Sequence, residues 1–195
     1  MAKVQLGPQT CIYPMPTLLV GANVNGKPNF MAVAWGNIAN AEPPMAAVAI
    51  RTSRHTHLGI EQNRTFSINI PSADLMKEAD YCGITSGAKV DKVKACQFTV
   101  FYGKLSTAPL IEQCPINIEC RVLHSLELGS HTLYVGRIEE VNVSSDCLTD
   151  GRIDLDKVKP LAYLGEPLRQ YHTVGAFQGK SHSIGREIKD RERSG

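Results

Sequence analysis

Thr17-Leu18-Leu19-Val20-Gly21-Ala22-Asn23-Val24, then Asn25-Gly26-Lys27-Pro28, then Asn29-Phe30-Met31-Ala32-Val33-Ala34-Trp35 is the stretch on which the fold turns. The first run reads as a strand. Asn25-Gly26 is a strong hairpin signal, because both residues accept positive φ. Phe30 to Trp35 then returns as the partner strand. Met45 to Arg51, after Pro43-Pro44, reads as a third strand. Arg64 to Pro71 alternates, with Phe66, Ile68 and Ile70 on one face. Phe98 to Leu105, Ile116 to His124 and Thr132 to Val143 complete seven strands, the last two joined by a turn holding Gly129 and Ser130. Two short helices fit between them. His57 to Asn63 has Thr56 as its N-cap, and Ser72 to Cys82 has Ser72 capping and Asp74 in the first turn. Ile84 to Lys92 is a loop or a helix entry. Many strands with few, short helices predict an antiparallel barrel rather than a βαβ sheet.

The chain has 195 residues, which fits one domain. Its 43% apolar and 21% charged residues are those of an ordinary globular protein. The net charge of +2 gives no support to nucleic-acid binding. No apolar run approaches the roughly 20 residues of a membrane span. Met1-Ala2-Lys3-Val4-Gln5 lacks the apolar core of a signal peptide, so a cytoplasmic location is expected. Cysteines at 11, 82, 96, 114, 120 and 147 show no C-x-x-C pair and no zinc-site spacing. They are expected to be reduced, with Cys114 and Cys120 as small buried hydrophobes. Cys82 reads either as plain packing or as a thiol near a site. Residues 1–180 are expected to form one domain. Residues 181–195 are expected to be a charged, mobile tail.

No G-x-S-x-G, H-E-x-x-H, P-loop or G-x-G-x-x-G is present, nor a paired carboxylate set. No catalytic side chain and no metal site is expected, and chemistry should come from a bound cofactor. Arg51-Thr52-Ser53-Arg54-His55-Thr56 closes a strand where a helix begins. It offers charge, hydroxyls and unpaired N–H groups, which suit a phosphate. The plain alternative is a solvated strand end before a capped helix. Trp35 sits among Ala32, Val33, Ala34, Gly36 and Asn37, small neighbours that would let a flat ring approach. It also reads as an ordinary core or interface tryptophan. Ser86-Gly87 and Asp91-Lys92 could add polar contacts, or be a turn.

Taken in order, these pieces resemble the flavin reductase-like, FMN-binding split-barrel family, and most closely its flavoredoxin branch. The residues that carry the resemblance begin with Tyr13-Pro14-Met15-Pro16, Asn25 through Trp35, Pro43-Pro44 and Arg51 through Thr56. Phe66 through Ser72, Ala79 through Gly83, Ser86-Gly87 and Asp91-Lys92 follow. Ala108-Pro109, Cys114-Pro115, Glu119-Cys120, His131 and Val135-Gly136 also match. The resemblance implies a mainly β, β-rich α+β fold: a split β-barrel with a few short peripheral helices. It implies noncovalent FMN and a homodimer with the flavin near the interface. Carried over by position, Asn29, Met31, Ala34 and Trp35 would line the isoalloxazine ring. Arg51, Ser53, His55 and Thr56 would hold the phosphate. Asn69, Ser86, Gly87, Asp91 and Lys92 would complete the pocket. Many relatives have Thr where this chain has Ala32, so at Ala32 only the backbone N–H could serve the flavin.

The function so implied is an oxidoreductase passing electrons or hydride between a donor such as NAD(P)H and an acceptor. A nicotinamide donor would stack on the exposed flavin face, since no separate motif for it is present. Two alternatives stand beside it. One is an FMN-binding protein without turnover, for storage or sensing. The other is a β-barrel interaction module that binds a different anion. The phosphate assignment predicts that Arg51→Ala weakens FMN more than riboflavin.

Overall fold

The computed structural model describes residues 1–186 and 188. Seven strands form its main sheet: β1 (Leu18–Val24), β2 (Lys27–Val33), β3 (Gly36–Asn40), β4 (Met45–Arg51), β5 (Thr65–Ile70), β6 (Ile116–Glu127) and β7 (His131–Val143). Their order is β2-β1-β5-β6-β7-β4-β3, and every pair is antiparallel. The sheet curls without closing by hydrogen bonds, as a split barrel does. The β1–β2 hairpin turns at Asn25 and Gly26, both at positive φ, as the sequence requires.

Period-two alternation sends Val20, Val48, Ile50, Phe66 and Tyr134 into the barrel, where they are fully buried. The opposite face of β1 and β2 is covered too. Leu19 and Phe30 pack there with Ala79, Cys82, Phe98, Ile111 and Cys114. All seven residues of β1 are therefore buried, which explains its apolar run from Leu18 to Ala22 in place of an alternating pattern. Helix α1 (His55–Asn63) packs against β1 and places Ile60 in the barrel core. Asn63 fixes it there by donating to Asn23 O at 2.7 Å and to Gly59 O at 2.8 Å. Helix α2 (Met76–Ile84) and the single turn α3 (Lys92–Ala95) cover the outer face of β2. A side sheet joins Met15–Pro16, Leu161–Leu164 and Gln170–Thr173.

The structure revises several sequence expectations. Phe98 to Leu105 pairs over only Val100–Phe101. Beyond it, the N–H groups of Lys104 and Leu105 donate to the buried carboxylate of Glu119, at 3.1 and 2.6 Å, instead of to a strand. The seventh strand of the sheet is Gly36–Asn40, an exposed edge whose sequence lacks an apolar face. Helix α1 begins at His55 rather than His57, and its N-cap is Arg54, with no capping side chain. Thr56 lies inside the first turn, where it is buried. The expected Ser72–Cys82 helix divides into a 3-10 turn, Ala73–Leu75, and α2. The expected 181–195 tail falls largely outside the described residues. No helix among the described residues is long and apolar enough to cross a membrane.

Candidate functional site

Three elements meet at the start of α1: strand β2, the helix N-terminus, and the segment from the end of α2 to α3. They enclose a narrow cleft lined by Asn29, Met31, Arg54, His55, Thr56, Cys82, Thr85, Ser86, Gly87 and Lys92. The first turn of α1 has neither a capping side chain nor an acidic residue. Its leading N–H groups and its dipole therefore favour an anion. Arg54 is exposed and makes no ion pair or side-chain hydrogen bond among the described residues.

Asn29 organises the interior. Its Nδ2 donates to Thr56 Oγ1 at 2.7 Å. Its Oδ1 lies against Gly87, where an added Cβ would fall 1.8 Å from it and 3.1 Å from the His55 ring. Gly87 is thus required here by close approach, although its sequence reading is only a turn. Lys92 is buried, and its Nζ donates to Phe30 O at 2.9 Å and Cys82 O at 2.8 Å. Those bonds tie α2 and α3 to β2. An ammonium has three donors, so one remains for a ligand. Burial lowers the pKa of Lys92, and the nearby Arg54 charge adds to that shift. Asp91 caps α3 by accepting from Lys94 N at 3.0 Å.

The narrow cleft opens on one side into a groove of about 590 Å³, which shares Asn29, His55, Gly87 and Lys92 and adds Lys27, Lys89 and Asp91. On the other side, across Arg54, lies a separate cleft of about 230 Å³. Its walls are Thr17, Ala32, Val33, Ala34, Asp80, Gly83, Ile84, Tyr163 and Tyr171. Tyr171 donates to Asp80 at 3.1 Å, and its ring meets that of Tyr163 at 5.3 Å between centroids.

The expected site residues thus divide. Asn29, Met31, His55, Thr56, Ser86, Gly87, Asp91 and Lys92 come together, while Ala32 and Ala34 face the second cleft. Trp35 is 41% exposed and stacks on His131, with centroids 4.7 Å apart. Arg51, which pairs in register with His131, and Ser53 are exposed and line none of these openings. Asn69 is buried and committed elsewhere. It donates to Leu19 O and Ser67 Oγ and accepts from Ile111 N and Asn117 Nδ2. Its four bonds bind β5 to its neighbours, a network a strand pattern does not reveal. Sequence reasoning passed over Thr17, Asp80, Tyr163 and Tyr171, which the side sheet and α2 bring to β2. Arg54 belongs to the cationic run Arg51–Thr56 but not to the phosphate set that the resemblance implies, and it lines both clefts. Cys82 is buried, and that burial pushes its thiol up to about 12, which fits packing. No cluster of three metal-ligating side chains exists among the described residues.

Residues 10–172 match the model of the flavin reductase like domain. The chain belongs to that family. Flavoredoxin from Methanosarcina acetivorans is similar to it, with 41% identity and a TM-score of 0.91 over 96% of this chain and 100% of that one. Flavoredoxin of Desulfovibrio vulgaris (Miyazaki F) follows with 37% identity and a TM-score of 0.87, covering 94% of this chain and 100% of that one. An FMN-binding protein from Thermus thermophilus shares 26% identity with a TM-score of 0.77, over 92% of this chain and 99% of that one. A protein of Archaeoglobus fulgidus is 36% identical over 145 residues, which are 74% of this chain and 81% of its own. The flavin reductase-like domain accordingly has the strand-rich split-barrel fold that its sequence motifs imply.

Proposed function

We propose that this flavin reductase-like protein holds FMN noncovalently in the narrow cleft and its adjoining groove, and that it works as an FMN-dependent oxidoreductase. The observation that carries this reading is the uncapped N-terminus of α1, joined by Asn29, Thr56, Gly87 and Lys92 in one enclosed cleft. The donor set fits a phosphorylated polar ligand. The phosphate would sit on the first N–H groups of α1, with Arg54 and His55 beside it. Ser86, Asp91 and the remaining N–H of Lys92 would serve the polar parts of the cofactor.

FMN, when bound, supplies the hydride and electron chemistry. The protein's own part is to orient it, to place positive charge near it, and to exclude water at the buried amide of Asn29. NAD(P)H would be the reductant, approaching from the open side. A second copy of the chain would cover exposed Trp35 and Ile38 near the β3 edge, with Leu126 and Leu128 of the projecting β6–β7 hairpin, giving a homodimer. Free cysteines throughout the described residues accord with a reducing, cytoplasmic setting.

Arg54, which lines the cleft, is the phosphate-binding arginine of this proposal, where the resemblance implies Arg51. Arg54→Ala should weaken FMN by about 1.5–3 kcal/mol, with a smaller loss for riboflavin, which lacks the phosphate. Fluorescence titration of both flavins measures this, and equal losses would refute the phosphate assignment. Anaerobic bleaching of the flavin by NADH or NADPH supports turnover. A flavin that neither reduces would favour storage or sensing.

A further inference from the structure

Residues 1–14 form an arm that covers nothing on its own chain. No helix or strand precedes Met15, and every residue of the arm is exposed. Among the described residues, the hydrogen bonds of residues 1–12 stay inside the arm: Gln9 Nε2 donates to Leu6 O, and Cys11 Sγ to Gln9 Oε1. Val4 is 84% exposed and Leu6 is 68% exposed. In an extended chain Ala2, Val4 and Leu6 share one side, with Lys3 and Gln5 on the other. That is the alternation of a half-buried strand whose apolar side lacks a partner.

A groove of about 490 Å³ offers the matching surface, far from the flavin cleft in sequence. One wall is Asp154 with the helical turn Leu155–Val158. The other is the segment Val174–Phe177, which follows the side-sheet strand Gln170–Thr173. Leu155, Val174 and Phe177 are each more than half exposed. Among the described residues, the backbone of Val174–Phe177 makes one hydrogen bond, Ala176 O accepting from Gln178 Nε2 at 3.1 Å. Its other N–H and C=O groups are open to a pairing strand. Asp154 and Asp156 outnumber Lys159, so the groove favours a cation. The Asp156 carboxylate is exposed and has no ion pair or hydrogen bond among the described residues.

A chain's own arm leaves from the wrong end. Met15 pairs with Tyr163, and Leu161 pairs with Thr173. The arm therefore departs past Leu164, whereas the groove lies past Leu161 and Thr173, at the opposite end of the side sheet. Fourteen extended residues reach about 45–50 Å, enough to cross onto a neighbouring chain.

We infer that residues 2–6 of each chain dock as an extended strand in this groove of a second copy. Val4 and Leu6 lie against Leu155, Val174 and Phe177, and Lys3 reaches Asp156 at the rim. Exchange of both arms is self-complementary, so the assembly closes as a dimer. The inference rests on the homodimer proposed above and adds the segment that joins its halves.

Cross-linking between chains tests it. Cys11, the exposed cysteine among the six, is replaced by Ser throughout. A Leu6→Cys chain is mixed with a Leu155→Cys chain, left to exchange subunits, and oxidised with diamide. Leu58→Cys, exposed on α1, replaces Leu155→Cys in the control. Non-reducing electrophoresis should show a disulfide-linked dimer for the first pair, at least several-fold more than for the control. In sedimentation, Leu6→Asp should weaken the dimer at least about tenfold, because it sets a carboxylate on apolar surface. It alters no buried residue, so circular dichroism should be unchanged. A dimer that gives no such cross-link, or that ignores Leu6→Asp, overturns the inference and leaves the homodimer standing. With both cysteines on one chain, a cross-link confined to that chain also overturns it, by filling the groove with the chain's own arm. A protein that is monomeric at every concentration fails both readings and leaves the FMN site untouched.

Discussion

Single atoms decide most of this site. The hydroxyl of Thr17 is an unsatisfied buried group. Replacing it with the methyl of Val should stabilise the ligand-free protein by about 1–3 kcal/mol, read by thermal or urea denaturation. Gly87 has the opposite sensitivity. A Cβ there would collide with Asn29 Oδ1 and force the amide away from Thr56. Gly87→Ala should lower FMN affinity at least tenfold, about 1.4 kcal/mol. Flavin fluorescence quenching would show it, and unchanged affinity would mean that Asn29 is not part of the site. Lys92→Met would leave the carbonyls of Phe30 and Cys82 without their donor. It should cost at least about 2 kcal/mol of stability even without flavin, because the partners are buried.

At the scale of elements, α1 is the part that joins fold to site. It carries Ile60 into the barrel core, and its start faces the cleft. Gly59 lets it lie close to β1, since a Cβ there would be 2.5 Å from Asn23 O. Gly59→Ala should push the helix outward and destabilise the protein by about 1–3 kcal/mol. Because the helix start moves with it, FMN affinity should fall in the same variant. A destabilised protein with unchanged FMN affinity would separate the helix from the site. This element was legible in sequence as to its presence and cationic entry, but not as to its first residue. The cap is a backbone position, Arg54, whose side chain makes no capping bond. Residues 98–105 were misread for a related reason. Their aromatic and β-branched residues resemble a strand, yet the carboxylate of Glu119, 14 residues away from Leu105, takes up the N–H groups of Lys104 and Leu105 that a ladder would have used. Asn69 shares that problem, since its alternating strand shows nothing of the four bonds that occupy it.

For the whole molecule, the hairpin at Asn25-Gly26 and the alternating strands made the barrel readable. Contacts between distant segments did not reveal themselves. The second cleft joins Thr17, Asp80, Tyr163 and Tyr171 across more than 150 positions of chain. No local pattern connects them. Three buried thiols share one pH response. Burial raises the pKa of Cys82 to about 12 and also raises those of Cys114 and Cys120. In each, the folded protein keeps a proton that the unfolded chain releases near pH 9. The stability they contribute is complete below that pH and is lost as pH climbs toward the folded values. Lys92, whose pKa is lowered, works in the opposite sense. Urea midpoints should fall steadily from pH 9 to 11, and Cys114→Ala should flatten the decline. A midpoint that stays level across that range would contradict the burial of these thiols.

The most direct test of the central claim is an absorption spectrum of the purified protein, before and after added FMN, with any pigment released by heat and identified. The account predicts bound flavin bands, released pigment that is FMN, and retention of FMN over riboflavin through Arg54 and the start of α1. A colourless protein that takes up no added FMN would contradict it, and would leave the uncapped helix and its cationic entry to some other anion.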